Sequence, residues 1–267
     1  MTRMSRDRQG AMAPALSAKQ RDAYQRDGFL ILRELLPAAT IERAVAEAEA
    51  LLQRRDLIST RNLRCRWQTN VLTGECQFET FDPVIDIAPV CRELATDERL
   101  LAVLAELYGE EACLFKDKLI FKPPGMRGYG LHQDWIAWPG FPRSFLTVLI
   151  PLDASGIENG CTEVFPGYHH HGSLSPEDGQ YHELPPDCID EARGVPLELQ
   201  PGDAAIFSGF TPHRSAPNRS ARWRRQLYVS FNKRSDGGPQ RSKHYEEFHR
   251  WLRRRYAEHG KTDVYFQ

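Results

Sequence analysis

The chain has 267 residues, 41% of them apolar, and its 35 basic side chains nearly balance 36 acidic ones, which leaves a formal net charge of −1. This composition suffices for a sizeable core, and it argues against nucleic acid or an anionic membrane as the partner, because either needs a strongly basic face. Since the sequence has no run of 18 apolar residues, it also predicts no transmembrane helix.

The N-terminal residues and the cysteines predict the compartment. Residues 1–16 show no apolar periodicity and no apolar segment of a secretory signal, so we expect them to be mobile. Residues 17–267 are predicted to form a single domain. The six cysteines contain no Cys-x-x-Cys pair, and we expect them to be reduced in a cytoplasmic protein.

Helical signals occupy the first part of the chain. Residues 17–27 predict a helix that Ser17 caps, and residues 29–32 predict a short buried strand. Residues 38–54 and 89–108 predict two longer helices, because their apolar residues recur at helical spacing. We expect these helices to cover a sheet.

From Leu114 onward, short strands alternate with Pro and Gly turns, as is typical of a β-sandwich or jelly roll. The predicted strands span residues 114–122, 144–151, 162–166, 196–199, 204–207 and 226–232. Residues 242–256 predict a basic amphipathic helix, whose arginines indicate a solvated face because the chain is neutral overall.

The most specific chemical signal is a pair of ligand-type side chains, His132 and Asp134. Because they lie two residues apart, they point to the same side of an extended segment. The pair alone is a weak signal, since short surface turns also produce it. With His213 from a distant strand, it predicts a face of two imidazoles and one carboxylate. Such a face, with its opposite side open, suits Fe(II) that also binds a cosubstrate and O2.

An arginine after the third histidine predicts how a cosubstrate is held. Arg224 lies eleven residues after His213 and precedes the mainly apolar run 226–231. A guanidinium fixed on a core strand matches a carboxylate such as the far end of 2-oxoglutarate. Arg222 and Arg225 compete for this role, but alternation along the strand separates Arg225 from Arg224.

These residues, in this order and spacing, resemble the phytanoyl-CoA dioxygenase family of Fe(II)/2-oxoglutarate oxygenases. The resemblance extends over roughly residues 20–256. The other motifs that carry it are Asn159-Gly160-Cys161-Thr162, Val164-Phe165-Pro166-Gly167-Tyr168-His169, Pro201-Gly202-Asp203, and Ser215 and Asn218 after His213. The likeness is specific because several motifs occur together in the family's order.

The resemblance implies a fold, cofactors and a reaction. The implied fold is mainly β, a double-stranded β-helix core of the jelly-roll or cupin type with flanking α-helices. The implied ligands of Fe(II) are His132, Asp134 and His213, and Arg224 is the implied partner of the C5 carboxylate of 2-oxoglutarate. The expected reaction uses O2 to hydroxylate a small molecule, with succinate and CO2 as coproducts. Because Asp134 stands where related halogenases have a small residue, hydroxylation is expected rather than halogenation.

Further residues are candidate contacts of the cosubstrate. Ser215 is expected either to donate a hydrogen bond to the same carboxylate or to stabilise a turn. Lys116 and Lys118 share one side of a predicted strand with Lys122. These lysines either line the pocket, where they would bind 2-oxoglutarate or an acidic substrate, or protect an exposed sheet edge.

Aromatic and basic residues predict the substrate site. Trp135 and Trp138 follow the ligand pair and Trp67 lies in an earlier loop, where they either contact the substrate or simply pack. The arginines expected near the mouth are Arg64, Arg66 and Arg143. Cationic groups beside aromatic walls favour a substrate with a phosphate, phosphonate or carboxylate, unless they are ordinary surface charge.

Two other functions remain open from the sequence alone. A metal-dependent hydrolase could use two histidines and an aspartate, although it would not need Arg224. A non-catalytic binding module could share the same β-fold. His169-His170-His171 is a rival metal site, but consecutive residues on an extended chain point to opposite sides and cannot all bind one ion. The sequence does not predict the oligomeric state.

Overall fold

The computed structural model describes residues 16–259. Of the segment predicted to be mobile, residues 1–15 lie outside the described residues, whereas Leu16 is buried and its backbone N–H donates to the Glu106 carboxylate. No helix in residues 16–259 is long and apolar enough to cross a bilayer. All six cysteines are free thiols.

The helices agree with the predicted ones at their starts. The described α-helices are α1 (Ala18–Asp27), α2 (Ala38–Leu52), α3 (Pro89–Ala95), α4 (Glu98–Tyr108) and α5 (Arg241–His259). Ser17 caps α1 by accepting a hydrogen bond from the backbone N–H of Gln20, and Gly28 ends the helix in the left-handed region at φ 78°.

The single helix predicted over residues 89–108 is wrong, because the chain forms α3 and α4 there. Asp97 has an extended backbone and its carboxylate accepts from the Arg99 N–H, which starts a new helix. Leu94 in α3 and Leu104 in α4 are both fully buried. The helical spacing of the apolar residues therefore continues from α3 into α4, although the N-cap Asp97 separates the two helices.

Eleven strands form in the described residues, most of them short. They are β1 (Phe29–Leu32), β2 (Cys65–Thr69), β3 (Cys76–Phe81), β4 (Ala112–Lys122), β5 (Tyr129–His132), β6 (Leu146–Pro151), β7 (Thr162–Val164), β8 (Val195–Pro196), β9 (Ala204–Ser208), β10 (His213–Ser215) and β11 (Arg224–Lys233). The hairpin of β2 and β3 and the short strand β5 were not predicted.

The strands form two antiparallel sheets. The large sheet has the order β1-β9-β6-β11-β4-β3-β2, and the small sheet has the order β5-β10-β7-β8. Because β4 lies between β11 and β3, its lysines do not protect an exposed edge, and that account of Lys116 and Lys118 is wrong. The two sheets confirm the predicted mainly β, jelly-roll fold with flanking helices.

The apolar core lies in two layers. The larger layer packs one side of the large sheet against α2, α3 and α4. Its buried members include Ile41, Ala44, Leu94, Leu104, Leu119, Phe121, Val148, Leu227, Val229 and Phe231. The smaller layer brings β4, β6, β9 and β11 of the large sheet together with β7 of the small one, through Ile120, Leu149, Val164, Phe207 and Tyr228 among others. The side of β4 and β11 that faces away from α2, α3 and α4 is thus left to build a site.

Candidate metal centre

Sheet pairing brings the two histidines together. His132 ends β5, His213 begins β10, and the two residues lie directly opposite each other in the antiparallel pair. Asp134 follows two residues after His132. Its Oδ1 lies 3.9 Å from the Nε2 of His132 and 3.8 Å from the Nε2 of His213. One ligand atom from each of the three residues lies within 4.8 Å of the others, a spacing that a metal ion can bridge.

Hydrogen bonds orient all three side chains. The Nδ1 of His132 lies 2.8 Å from the Gly130 carbonyl, and the Nδ1 of His213 lies 3.0 Å from the Thr211 carbonyl. A carbonyl only accepts, so each Nδ1 carries the proton and each Nε2 keeps its lone pair. The Thr147 hydroxyl donates to Asp134 Oδ2 at 2.6 Å, which leaves Oδ1 for the ion.

The protonation states also suit a metal. Burial, and then the nearby His213, lowers the pKa of His132 to about 3. Burial also lowers the pKa of His213, although Asp134 opposes that shift. Burial by itself would raise the pKa of Asp134, but His213 and Lys118 outweigh it, so the pKa is lowered. At neutral pH the centre therefore offers two neutral imidazoles and one carboxylate, the forms that bind a metal ion.

Arg224 is a buried cation with free donors. Its side chain is 1% exposed, and neither its Nε nor its Nη1 has a hydrogen-bond partner among the described residues. It lies on the same side of β11 as Tyr228 and Ser230, because alternate residues of a strand share a side. Tyr228 and Ser230 line the cavity that also contains the three ligands, whereas Arg224 itself is not among the lining residues. A buried guanidinium with unused donors is a site for a planar carboxylate.

Arg225 has a different environment, as strand alternation predicted. Its guanidinium binds both oxygens of Asp153, at 2.8 Å each, and lies 3.2 Å from Glu49. The neighbouring Leu227 on the same side belongs to the core that packs against the helices. Arg225 is thus a structural ion-pair residue.

Lys122 and the backbone of Tyr129 hold the side chain of Ser215 in place. The Ser215 hydroxyl accepts from the backbone N–H of Tyr129 at 3.2 Å and from Lys122 Nζ at 3.3 Å. Lys122 is fully buried and also donates to the carbonyls of Gly160 and Ala216. Lys122 therefore holds loops in place, and Ser215 lines the cavity.

The cavity has a volume of about 180 Å³ and both predicted lysines line it. Lys116 is 3.5 Å from Asp82, and burial lowers its pKa while Asp82 opposes the shift. Lys118 has no carboxylate within 4.0 Å among the described residues, and its Nζ lies 5.1 Å from the centre of the Tyr228 ring. The charge of Lys118 is therefore available to bind an anionic ligand, whereas the charge of Lys116 is already paired with Asp82.

The predicted tryptophans divide into two groups. Trp67 and Trp138 line the cavity. Trp135 does not, because it is buried in a separate cluster where its ring lies 5.0 Å from that of Phe210. This position favours packing, the second of the two alternatives that the sequence left open for Trp135.

The predicted arginines divide in the same way. Arg66 lines the cavity, with its Nη2 4.0 Å from Asp82. Arg143 instead stacks over Trp135 at 4.9 Å, and Arg64 forms an ion pair with Asp86 at 2.8 Å. Neither of these two lines the cavity.

Several cavity residues were missed by sequence reasoning. They are Glu79 on β3, Tyr181 in the loop before β8, and His244, Phe248 and Trp251 on α5. The amphipathic character of the tail helix was predicted from the sequence, but the surface that the helix covers was not. Glu79 had no signal, because the pairing of β2 with β3 was itself unpredicted.

Comparison with known sequences identifies relatives. The family model described as phytanoyl-CoA dioxygenase (PhyH) matches residues 24–226. A 2-aminoethylphosphonate dioxygenase from uncultured bacterium HF130_AEPn_1 is 35% identical over 176 residues, or 64% of this chain and 65% of that protein. A methylphosphonate hydroxylase from Gimesia maris is 36% identical over 176 residues, or 64% of this chain and 63% of that protein. The matches thus span slightly less than two thirds of each relative.

A solved structure shares the fold. The epimerase SnoN in complex with Fe3+, alpha ketoglutarate and nogalamycin RO superposes with a TM-score of 0.67 at 22% identity. The match covers 80% of this chain and 82% of that one. The fold agrees with the double-stranded β-helix inferred from the motifs, and the family match covers most of the chain. The chain belongs to the phytanoyl-CoA dioxygenase (PhyH) family.

Proposed function

We propose that this protein is an Fe(II)- and 2-oxoglutarate-dependent oxygenase that hydroxylates an anionic small molecule. The observation that carries the proposal is a three-ligand face together with a buried arginine whose Nε and Nη1 have no hydrogen-bond partner in residues 16–259. His132, Asp134 and His213 supply the face, and Arg224 supplies the unused donors. A hydrolase would use the first feature but has no need of the second.

The donor set fits Fe(II). Two imidazole nitrogens and one carboxylate oxygen on one side of an ion leave its other positions open. The backbone carbonyls behind His132 and His213 and the hydroxyl behind Asp134 keep these donors aimed at one point. In this proposal all three residues bind the metal.

The pocket beside them fits 2-oxoglutarate. Arg224 would bind the C5 carboxylate in a bidentate manner, and the Ser215 hydroxyl, held by Lys122 and Tyr129, would add a hydrogen bond. A carboxylate there would satisfy the Nε and Nη1 donors of Arg224, which are buried without a partner among the described residues. When bound, iron with 2-oxoglutarate and O2 supplies the oxidising chemistry, and succinate and CO2 are the coproducts.

The protein's share of the reaction is positioning and exclusion of water. Burial of the ligands and the aromatic walls of the cavity keep bulk water from the reacting atoms. Trp67 and Trp138 would contact the apolar part of a substrate. Lys118, with Arg66 near the same wall, would bind its anionic group.

The substrate class is supported by charge and by relatives. Lys118 is a cavity cation that no described carboxylate neutralises within 4.0 Å, so an anion is the complementary ligand. Two relatives at 35% and 36% identity are named for phosphonates. We therefore infer a small phosphonate or carboxylate as the substrate.

The test is a substrate-dependent succinate assay with purified protein, Fe(II), 2-oxoglutarate and O2. The panel contains small phosphonates, carboxylates, acyl thioesters and neutral analogues of the same length. We expect succinate to rise with at least one anionic member and a hydroxylated product to form in equal amount. Turnover that needs no 2-oxoglutarate, or hydrolysis in place of hydroxylation, would contradict the proposal.

A further inference from the structure

A bulge in the β2–β3 hairpin turns Glu79 into the cavity. Arg66 pairs with Thr80 and Trp67 pairs with Phe78, so Glu79 is the extra residue of the pair. A bulge breaks the regular alternation of a strand and can re-aim a side chain. Glu79 and Thr80 are adjacent, yet both line the cavity.

The two oxygens of Glu79 have different environments. Oε2 accepts hydrogen bonds from the Tyr129 hydroxyl at 2.5 Å and from the Thr80 hydroxyl at 3.1 Å. Oε1 has no partner among the described residues, although the side chain is completely buried. A buried polar atom without a partner is uncommon in proteins, and at a cavity wall it indicates a place for a ligand group.

Glu79 also has no cation within 4.0 Å in the described part of the chain. Burial raises the pKa of Glu79 above its ordinary value, and the Tyr129 hydrogen bond and the more distant charges of Lys122 and Lys118 only partly oppose this rise. The other buried carboxylate of the wall, Asp82, already has Lys116 at 3.5 Å. Oε1 of Glu79 is therefore available to accept a hydrogen bond from a ligand, whereas Asp82 already pairs with Lys116.

We propose that Glu79 determines specificity by accepting, through Oε1, a hydrogen bond from a hydroxyl or ammonium group of the substrate. This inference rests on the proposed function and adds a second requirement to it. Lys118 would bind the anionic group while Glu79 binds a donor group elsewhere on the same molecule. The preferred substrate then carries both an anion and a hydrogen-bond donor.

The experiment measures binding of three phosphonates of similar size by anaerobic calorimetry, with Fe(II) and 2-oxoglutarate present. The probes are 2-aminoethylphosphonate, 2-hydroxyethylphosphonate and propylphosphonate, which differ in carrying an ammonium, a hydroxyl or a methyl group. We expect at least one donor probe to bind about 10- to 100-fold more tightly than propylphosphonate, the usual range for a hydrogen bond to a charged group. Preference for the ammonium identifies an ionic contact, and preference for the hydroxyl identifies a neutral donor.

The variant Glu79→Gln keeps the size of the side chain and replaces an acceptor with a donor. We expect it to lose the preference for the donor probe while its affinity for propylphosphonate stays within about threefold. Glu75→Gln, an exposed change in the turn of the same hairpin, should behave like the unchanged protein. The inference would be overturned if Glu79→Gln preferred the donor probe over propylphosphonate as strongly as the unchanged protein does. It would also be overturned if the unchanged protein showed no such preference, or if none of the three probes bound.

A separate readout distinguishes this failure from failure of the proposed function. The charge-transfer absorption of Fe(II) with 2-oxoglutarate reports the metal centre without substrate. If the band forms and the probes are not discriminated, only the role of Glu79 is wrong. If the band does not form in the unchanged protein, the proposed function is wrong, and the inference about Glu79 falls with it.

Discussion

Strand β11 has two sides with opposite properties, and the contrast explains how one element serves both stability and chemistry. On the side that packs against the helices, Leu227, Val229 and Phe231 are fully or almost fully buried among apolar residues. On the other side, where Tyr228 and Ser230 line the cavity, Arg224 is equally buried, but its Nε and Nη1 have no hydrogen-bond partner in the part of the chain that the structure describes. The alternation of a strand separates these roles by a single residue.

The contrast shows which side bears the energetic cost of the site. An unpaired buried cation is unfavourable, as is an orphaned hydrogen-bonding atom. Burial of the apolar side offsets this cost, since each large aliphatic side chain contributes about 1.5–3 kcal/mol. We therefore expect the free energy of unfolding to rise when ligands bind on the cavity side of the sheet. The apolar contacts on the helix side form without any ligand.

The largest effect on the cavity side is expected from Arg224→Ala. Loss of one partner of a buried charge pair costs about 3–5 kcal/mol, so the dissociation constant of 2-oxoglutarate should rise by at least two orders of magnitude. An equilibrium titration of the anaerobic Fe(II) protein with 2-oxoglutarate measures this dissociation constant. Arg225→Ala is the matched control, because its partners are Asp153 and Glu49. If Arg225→Ala weakened the binding of 2-oxoglutarate more than Arg224→Ala did, the cosubstrate would lie on the Arg225 side of β11 and our assignment would be wrong.

Leu227→Ala probes the other side of the same strand. Leu227 is completely buried in the helix-side core, so the change should lower the free energy of unfolding by about 2–5 kcal/mol. Urea unfolding of the ligand-free protein measures this loss, and the affinity of the folded protein for 2-oxoglutarate should not change. A large loss of affinity with little loss of stability would mean that the two sides are not separable.

Thr147→Val tests the support behind the metal ligands. The change removes the hydroxyl that donates to Asp134 Oδ2 and keeps the shape of the side chain. Such supporting hydrogen bonds typically contribute about 10- to 100-fold to metal affinity. Ser230→Ala serves as the comparison, because Ser230 is 3.2 Å from the Thr147 hydroxyl and should have a smaller effect. An unchanged iron affinity in Thr147→Val would show that Asp134 is oriented by other contacts.

The smallest effect concerns pH and His244 on α5. Burial, followed by the charge of Lys116, lowers the pKa of His244 to about 3. Unfolded histidine titrates near 6.5, so between about pH 6.5 and 3 the unfolded state binds the extra proton and stability falls as pH falls. From pH 6.5 to 5.0 His244 should account for about 2 kcal/mol of lost unfolding free energy. His244→Phe should remove that part of the loss in urea titrations, and parallel pH profiles would contradict it.

The sequence predicted part of the candidate metal centre from a local signal. The spacing of His132 and Asp134 already implied a shared side, whereas His213 comes from a distant strand that the structure pairs with His132. Alternation also separated Arg224 from Arg225. For Trp135 the sequence left contact with the substrate and simple packing both open, and the structure places this residue in a separate aromatic cluster.

Other parts of the site depend on long-range pairing that a single sequence does not reveal. Glu79 faces the cavity because of a bulge in an unpredicted hairpin. Phe248 and Trp251 line the cavity because α5 packs over β4 and the Trp138 loop. The amphipathic pattern of α5 predicted a buried side but not the surface that buries it.

The proposed function requires that His132, Asp134 and His213 hold Fe(II) on which 2-oxoglutarate binds. Anaerobic titration of the protein with Fe(II) and 2-oxoglutarate, followed by the charge-transfer absorption, tests it most directly. We predict that the unchanged protein binds a single Fe(II) per chain and develops the band. His213→Ala should lose both, while His171→Ala in the rival histidine run should retain both. Full iron binding and an unchanged band in His213→Ala would contradict the account.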